Sequence, residues 1–292
     1  MRLRNNNFLS KLNYFPQKGN SFNLPKITVV TPSYNQSKFL EKTILSVLNQ
    51  NYPDLEYIIM DGGSTDDSVE IIKKYEKYLA YWQSKPDKGQ SDAIHQGFEM
   101  ATGDILAWLN SDDVYLPGAL SFVGSYFHKH PNVDVIYGNY LNIDKNDNVL
   151  RETKGVPFNR LAFIMNCISW HQASIFWRKN IYSSNTVLDI EEHYIMDYDL
   201  WFQFIRSGAK FKYVNKTLSC FRDYPGTKTA SIKKEKAKLL QKKIKHYFGF
   251  SIYDNKYIVL KIMYRLRTLI FHIFKGRFLY LLKDVGKGYN SG

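Results

Sequence analysis

The sequence has very little cysteine and no long apolar run. Its 292 residues include two cysteines, Cys167 and Cys220, whose positions match neither a metal-ligand spacing nor a disulfide framework. No stretch reaches the roughly 18 consecutive apolar residues that a membrane-spanning helix needs. The polar, Asn-rich beginning of the chain also lacks the apolar segment of a secretory signal. These absences favour a protein of the reducing cytoplasm.

Acidic residues are scarce in the last fifth of the chain. The whole sequence has a net charge of +13, and residues 231–292 contain 15 Lys and Arg against 3 Asp and Glu. The tail therefore carries a net charge of +12, while residues 1–230 are almost neutral. This asymmetry predicts a nearly neutral domain followed by a basic tail that meets an anionic surface.

Short apolar runs alternate with amphipathic segments in the first half of the chain. The runs that predict strands are Lys26–Thr31, Leu55–Met60, Leu79–Gln83 and Asp104–Leu109. The segments that predict helices are Ser37–Gln50, Asp66–Leu79 and Gln90–Ala101. Continuous apolar strands that alternate with helices are typical of a parallel sheet with helices on both faces. We therefore expect an open, mostly parallel α/β sheet.

The pattern is less regular after Pro117. We expect helices at Pro117–His130 and Tyr198–Ser207, and strands at Val133–Gly138, Gln172–Trp177, Phe211–Val214 and Leu218–Phe221. The expected organisation is an N-terminal arm (residues 1–24), one large domain (25–230) and a basic helical tail (231–292).

The segment Tyr257–Phe274 in the tail predicts an amphipathic helix. At 100° per residue, five residues fall on one side: Lys261, Arg265, Thr268, His272 and Lys275. Such a helix can lie in a membrane interface with this basic stripe at the headgroups, or it can pack on its own domain.

Three strand ends carry polar residues that could bind a ligand. The first strand ends in Thr31-Pro-Ser-Tyr-Asn35, the second in Asp61-Gly-Gly-Ser-Thr-Asp-Asp-Ser68, and the fourth in Asn110-Ser-Asp-Asp113. In open α/β sheets, ligands bind beyond the carboxyl ends of the strands. The adjacent acids of the third segment are the most specific feature, because Mg²⁺ and Mn²⁺ bridge carboxylates to substrate phosphates.

Two later segments add further candidates. Asp197 and Asp199 precede or begin a helix, and one of them could deprotonate an acceptor hydroxyl while the other is a helix-start acid. The segment Phe221–Thr229 is predicted to be a loop whose Arg222 and Lys228 could close over a diphosphate, or an ordinary basic surface loop.

In their order and spacing, these segments resemble the inverting glycosyltransferases of the large family 2, which have the GT-A (Rossmann-like) fold. The resemblance also rests on Asp87–Gly97, Trp108–Asp113, Trp170-His-Gln172 and Met196–Trp201, and it covers roughly residues 25–231. It implies transfer of a hexose or N-acetylhexosamine from a nucleotide-diphosphate sugar, UDP-linked, to a glycan or lipid-linked acceptor. It also implies a role in bacterial cell-surface polysaccharide synthesis, at the inner face of the cytoplasmic membrane.

The resemblance implies roles for individual residues. The residues expected to bind the nucleotide sugar are Pro32, Tyr34, Asn35, Asp61, Gly62, Lys88, Asp92, Ser111, Asp112, Arg222 and Lys228. Asp113, with Asp112, would hold Mn²⁺ or Mg²⁺, and Asp197 would be the general base. The residues expected in the sugar or acceptor pocket are Trp170, His171, Gln172 and Trp201. The sequence departs from the family at Gly62, where many relatives have an acid, and at Met196, where a Glu is usual.

Two other interpretations remain open at this stage. The chain could be a non-catalytic nucleotide or sugar binder whose basic tail contacts nucleic acid or a membrane. It could also be a nucleotidyltransferase, which needs the same metal carboxylate but releases pyrophosphate. The paired acids argue against a nucleic-acid surface on the domain, so we expect no nucleic-acid partner.

Overall fold

A computed structural model describes residues 24–183, 186–225 and 233–276, without the side chains of residues 233 and 234. The predicted N-terminal arm therefore lies outside the described residues. The strands are β1 Ile27–Ser33, β2 Leu55–Asp61, β3 Tyr81–Ser84, β4 Ile105–Trp108, β5 Val114–Tyr115, β6 Val135–Ile143, β7 Val149–Thr153, β8 Ile175–Arg178 and β9 Phe211–Arg222. The helices are α1 Ser37–Leu48, α2 Ser68–Tyr75, α3 Gln90–Met100, α4 Ala119–Lys129, α5 Arg160–Ile164, α6 Met196–Arg206, α7 Lys233–Phe248 and α8 Asn255–Phe274.

The described strands form one open sheet in the order β3-β2-β1-β4-β8-β6-β9-β5, and β7 pairs with β6. The half formed by β3, β2, β1 and β4 is parallel throughout. The other half is mixed, because β8 and β7 run antiparallel to β6 whereas β9 runs parallel to it. The predicted α/β class and open sheet are confirmed, and the antiparallel strands follow the fourth strand in the chain.

Helices cover both faces of the sheet, as the unbroken apolar strands predicted. Alternate residues of β1 separate the two cores: Val30 packs with Trp108 and the α3 residue Phe98, while Val29 packs with Ile44 of α1 and Leu120 of α4. This two-sided burial explains why the central strands read as continuous apolar runs rather than as an alternation.

Two boundaries differ from the predictions in ways that affect the site. The segments Phe211–Val214 and Leu218–Phe221 form the single strand β9, which keeps pairing with β6 through shifts in register. Helix α6 begins at Met196, two residues earlier than predicted, so Asp197 lies in its first turn.

The tail is not a separate appendage where it is described. Leu240 and Ile244 of α7 are buried in the same core as Phe202 and Trp201 of α6. In addition, Lys243 Nζ lies 2.8 Å from a carboxylate oxygen of Asp199, which is almost fully buried. Helix α7 is therefore part of the domain, and the predicted boundary near residue 231 does not divide two independent packing units.

Candidate functional site

One cavity of about 790 Å³ opens at the carboxyl ends of the parallel strands. Pro32 and Tyr34 line it from the end of β1, Gly62 from the end of β2, and Asn110 and Asp112 from the loop after β4. Strands β1, β2 and β4 are neighbours in the sheet, so their ends meet at one edge although they are distant in sequence. This is the position where ligands bind in open α/β sheets.

The opposite part of the lining comes from the second half of the chain. Trp170, His171 and Gln172 approach the cavity before β8, and Asp197 reaches it from the first turn of α6. Asp199 lies two residues further along the same helix. It faces Lys243 and the side-chain amide of Gln203 instead of the cavity. Of these two acids, Asp197 therefore lies at the cavity and Asp199 lies inside the protein.

Asp112 and Asp113 have different surroundings. Asp112 lines the cavity, and one of its carboxylate oxygens accepts a hydrogen bond of 3.2 Å from the Tyr224 hydroxyl. Asp113 has no exposed surface, and its carboxylate accepts the backbone N–H of Arg222 at 3.0 Å. The sequence-based preference for Asp113 as the direct metal ligand therefore conflicts with its burial, and Asp112 is the accessible carboxylate.

Burial raises the pKa of Asp112 and, to a larger extent, that of Asp113, where the neighbouring charge of Asp112 acts in the same direction. Two adjacent carboxylates repel each other unless a cation balances them. Among the described residues, no group of three or more His, Cys, Asp or Glu side chains is arranged to hold a metal ion. A Mg²⁺ or Mn²⁺ ion that one carboxylate shares with substrate phosphates still fits this donor set, because such ions are usually bound in that way.

Arg222 is a positioning residue rather than a cation of a mobile loop. Its guanidinium is fully buried, lies 2.5 Å from a carboxylate oxygen of Asp147, and donates to the backbone carbonyl of Asp112 at 2.9 Å. It also lies over the Phe39 ring at 4.6 Å. The prediction that Arg222 closes over a diphosphate is wrong for this structure, because strand β9 continues to Arg222 and turns its side chain inward. Lys228 lies outside the described residues.

Several other predicted contact residues support the cavity without lining it. Both carboxylate oxygens of Asp61 accept hydrogen bonds inside the protein, from Ser64, from Ser84 and from the backbone of the following turn. Asn35 links the first two strand ends, because its side-chain oxygen accepts the backbone N–H of Thr65. Asp61 and Asn35 therefore shape the turns that present Tyr34 and Gly62.

Lys88, Asp92 and Trp201 are also absent from the cavity wall. The Asp92 carboxylate accepts the backbone N–H of Lys88 at 3.0 Å, which fixes the loop before α3. Trp201 is fully buried and stacks on Trp108, with ring centroids 5.6 Å apart. Its predicted place in the sugar pocket is wrong, because residue 201 lies on the core face of α6.

Asp87 lines the cavity, although in the segment Asp87–Gly97 the predicted ligand-binding residues were Lys88 and Asp92. A side chain at position 62 would come within 2.8 Å of the Asp87 carboxylate, so Gly62 leaves the space that this acid occupies. Burial raises the pKa of Asp87, and the charges of Asp92 and Asp61 act in the same direction. A hydrogen bond from the Gly89 N–H lowers the pKa, but by less. Asp87 therefore brings a carboxylate from another loop to the cavity wall beside Gly62.

His171 is held as a neutral side chain. Burial, together with the nearby charge of Lys236, lowers the pKa of His171 to about 3. Its Nδ1 accepts the backbone N–H of Ala173 at 3.3 Å, so the imidazole proton belongs on Nε2. His171 can therefore offer a hydrogen-bond donor at neutral pH, and it lines the cavity.

Lys236 supplies a cation that sequence reasoning missed. It lies on the first turn of α7, lines the cavity, and places its Nζ 5.2 Å from the centre of the Tyr198 ring. Among the described cavity-lining residues it is the one lysine or arginine. No signal could have selected it, because it is one of many lysines in a lysine-rich segment.

Comparison with known proteins agrees with this geometry. The family model described as glycosyl transferase family 2 matches residues 28–186, which is more than half of the chain. An uncharacterized glycosyltransferase of Mycobacterium tuberculosis is 34% identical over 155 residues, covering 52% of this chain and 58% of that protein. A Mycobacterium bovis protein named PGL/p-HBAD biosynthesis glycosyltransferase is 25% identical over 221 residues, covering 74% and 84% of the two chains.

Solved structures share the fold at low sequence identity. S. aureus TarS 1-349 in complex with UDP-GlcNAc has a TM-score of 0.60 and 16% identity, covering 85% of this chain and 72% of that one. The mannosyltransferase PcManGT from Pyrobaculum calidifontis, in complex with GDP-Man and Mn²⁺, has a TM-score of 0.56 and 14% identity, covering 78% and 66%. This chain spans 40% of a longer TarS structure.

The family match covers the three strand ends and the segment that carries Trp170, His171 and Gln172, which together form about half of the cavity wall. The chain is a GT-A-fold protein that belongs to glycosyl transferase family 2.

Proposed function

We propose that this protein transfers a hexose or N-acetylhexosamine from a UDP-linked sugar to a hydroxyl of a glycan or lipid-linked acceptor, with inversion and with help from Mn²⁺ or Mg²⁺. Its setting is cell-surface polysaccharide synthesis. The observation that carries the proposal is that Asp112 and Asp197 line one cavity from separate elements, the loop after β4 and the first turn of α6.

The nucleotide is assigned to the strand ends. The Tyr34 side chain is 61% exposed and offers an aromatic face. Pro32, at the end of β1, and Gly62 and Gly63, at the end of β2, allow a flat base to approach the backbone. Asp87, which lines the same cavity, would accept a hydrogen bond from the base or the ribose. The TarS structure that contains UDP-GlcNAc supports a uridine nucleotide. The PcManGT structure contains GDP-Man, so a guanosine nucleotide is the main alternative.

The diphosphate is assigned to Asp112 and Lys236. Asp112 would hold the metal ion together with phosphate oxygens, and the ion would supply Lewis-acid stabilisation of the charge on the departing nucleoside diphosphate. Lys236 contributes a point charge from α7 that can approach the same phosphates. Arg222 acts through its neighbours and not by contact with the diphosphate, because it holds the backbone of Asp112 and the carboxylate of Asp113 in place.

Asp197 is assigned as the general base. It takes the proton of the acceptor hydroxyl, and the acceptor oxygen forms a bond to the anomeric carbon as the bond to the diphosphate oxygen breaks. A single displacement of this kind inverts the anomeric configuration. His171, as a neutral donor, and Gln172, whose amide donates to the Trp108 carbonyl, shape the pocket for the sugar or the acceptor.

The first test measures nucleoside-diphosphate release from a panel of nucleotide sugars with Mn²⁺, for the unmodified protein and for Asp197→Asn. A positioned general base contributes roughly 10²–10⁴-fold, so we expect a loss in that range without loss of donor binding. Glu191→Gln is the control, because Glu191 is an exposed acid just before α6 that does not line the cavity.

Two results would contradict the proposal. If no donor is consumed in the presence of membrane lipid extract, or if Asp197→Asn matches the unmodified protein, the catalytic assignment fails and a nucleotide-binding role replaces it. If the product retains the anomeric configuration, as read by NMR, the single displacement is wrong.

A further inference from the structure

Helix α8 has an outward face that is almost entirely apolar. Nine of its side chains are between two fifths and nine tenths exposed: Ile258, Val259, Ile262, Met263, Leu266, Leu269, Ile270, Ile273 and Phe274. At 100° per residue they fall within an arc of about 160° and form one continuous ridge along the helix. Soluble proteins rarely expose a contiguous apolar patch of more than a few hundred Å², so this ridge indicates a binding surface.

The orientation of α8 is fixed by its other face. Leu260, Tyr264 and Phe271 pack against the core, and the Thr268 hydroxyl donates to the backbone carbonyl of Cys167 at 3.5 Å. His272 is also buried. The sequence left two orientations open, and the inward Thr268 and His272 agree with the one in which this helix packs on its own domain. The side left outward is the apolar one.

Cations border the ridge on both sides. On the wheel, Lys256 and Arg267 lie at one edge and Lys261 and Arg265 at the other, while Lys275 follows the end of the helix. No Asp or Glu occurs between residues 255 and 283. The ridge is therefore an apolar surface framed by positive charge, and the helix of 20 residues that carries it is about 30 Å long.

We infer that α8 docks the protein on an anionic lipid surface, with the ridge of residues 258–274 in the interface and the bordering cations at the headgroups. Apolar burial and attraction to anionic lipid act together in such helices. The charge pattern selects this occupant over a second copy of the chain, because pairing two α8 helices through their ridges would bring their cations together. Within the described residues, none of the helices combines the length and apolarity that crossing a bilayer requires.

The contacts of α8 connect this surface to the cavity wall. The backbone carbonyl of Cys167 accepts from Thr268, and the preceding residue, Asn166, accepts a hydrogen bond from the Tyr198 hydroxyl at 3.0 Å. Tyr198 lines the cavity beside Asp197. A lipid surface bound to α8 is thus linked, through Cys167, Asn166 and Tyr198, to the part of the cavity that contains Asp197. This arrangement suits a lipid-linked acceptor, and that part of the inference rests on the proposed function.

The test is sedimentation of the full-length protein with vesicles of phosphatidylcholine alone and of phosphatidylcholine with phosphatidylglycerol. The variant is Ile262→Ser/Leu266→Ser, since both side chains are more than half exposed and their replacement leaves the core intact. The control is Val149→Ser/Leu150→Ser, which removes two exposed apolar side chains of β7, away from α8.

We expect the unmodified protein and the control to bind anionic vesicles more tightly than neutral ones, and the α8 variant to bind at least about tenfold less tightly, as removal of two apolar contacts implies. Equal binding by the α8 variant, or no binding by the unmodified protein, would overturn the inference. So would a dimer in light scattering that the α8 variant dissociates, because the occupant would then be a second copy.

Vesicle binding needs no sugar donor, so the result is independent of the proposed activity. A protein that binds vesicles but consumes no donor would leave the docking surface standing and refute the transferase assignment. A protein that consumes a donor but does not bind vesicles would refute the docking surface and leave the transferase assignment standing.

Discussion

At the scale of single residues, neighbouring positions in the sequence have opposite roles. Asp112 faces the cavity while Asp113 is enclosed by β9, and Asp197 faces the cavity while Asp199 is paired with Lys243. In each pair the residue type is the same, and only the direction of the side chain differs. A substitution at one member of a pair is therefore the natural control for the other.

The first pair gives a prediction about the metal. Asp112→Asn should lower Mn²⁺-stimulated donor turnover by at least about 100-fold, because metal stabilisation of a leaving group contributes several kcal/mol. Asp113→Asn should stay within about tenfold of the unmodified protein, since burial raises the pKa of Asp113 and an amide keeps the oxygen that accepts the Arg222 N–H. The measurement is nucleoside-diphosphate release across a Mn²⁺ titration. The reverse order of effects would restore Asp113 as the ligand.

Lys236 gives a second prediction at this scale. Lys236→Met should raise the donor KM by about tenfold, which corresponds to one charge-assisted contact of roughly 1.4 kcal/mol. Lys238→Met, on the exposed side of the same helix, should leave KM unchanged. Steady-state kinetics with varied donor distinguishes them, and equal KM values for both variants would remove Lys236 from the diphosphate site.

At the scale of secondary structure elements, Glu56 joins three segments around the start of the sheet. Its carboxylate accepts from the Thr28 hydroxyl of β1 and from the backbone N–H and hydroxyl of Thr102 after α3, and Lys26 lies 3.0 Å away. Burial alone would raise the pKa of Glu56, but these hydrogen bonds outweigh it and lower the pKa to about 2.

This network predicts a pH-dependent part of the stability. Because the pKa of Glu56 is lower in the folded protein than its ordinary value of 4.5, the stabilisation is present above pH 4.5 and is lost as the pH falls towards about 2. At pH 7, Glu56→Gln should lower the free energy of unfolding by about 2–3 kcal/mol, and the difference should shrink through that acidic range. Urea unfolding at several pH values measures this difference in the free energy of unfolding. Glu70→Gln is the control, because Glu70 is exposed. A difference that is constant with pH would contradict the assignment.

At the scale of the whole molecule, the basic tail and the domain share one core. Helix α7 buries Leu240 and Ile244 against α6, places Lys243 on Asp199, and brings Lys236 to the cavity. The tail therefore both completes the proposed site and carries the proposed lipid surface on α8.

A truncation after residue 230 should for this reason damage more than membrane binding. Losing two buried aliphatic side chains costs about 2–5 kcal/mol each, so the shortened chain should unfold at a clearly lower temperature and should lose donor turnover. A chain that ends after residue 276 should keep both properties. Thermal unfolding followed by circular dichroism and a turnover assay test this, and an unchanged melting temperature after truncation at 230 would show an independent tail.

The sequence by itself determined the alternation of strands and helices, because burial on both faces imposes apolar runs that are visible without a structure. It also determined which strand ends line the cavity, since the polar segments after β1, β2 and β4 are local signals. The tertiary structure alone decided which member of each acidic pair faces the cavity, that Arg222 is enclosed, and that Lys236 reaches the site. These outcomes depend on the direction of side chains and on contacts between segments more than 30 residues apart, such as Arg222 with Asp113 and Lys243 with Asp199. The outward face of α8 was decided in the same way, because both sides of that helix could be buried and only packing against the domain selects one.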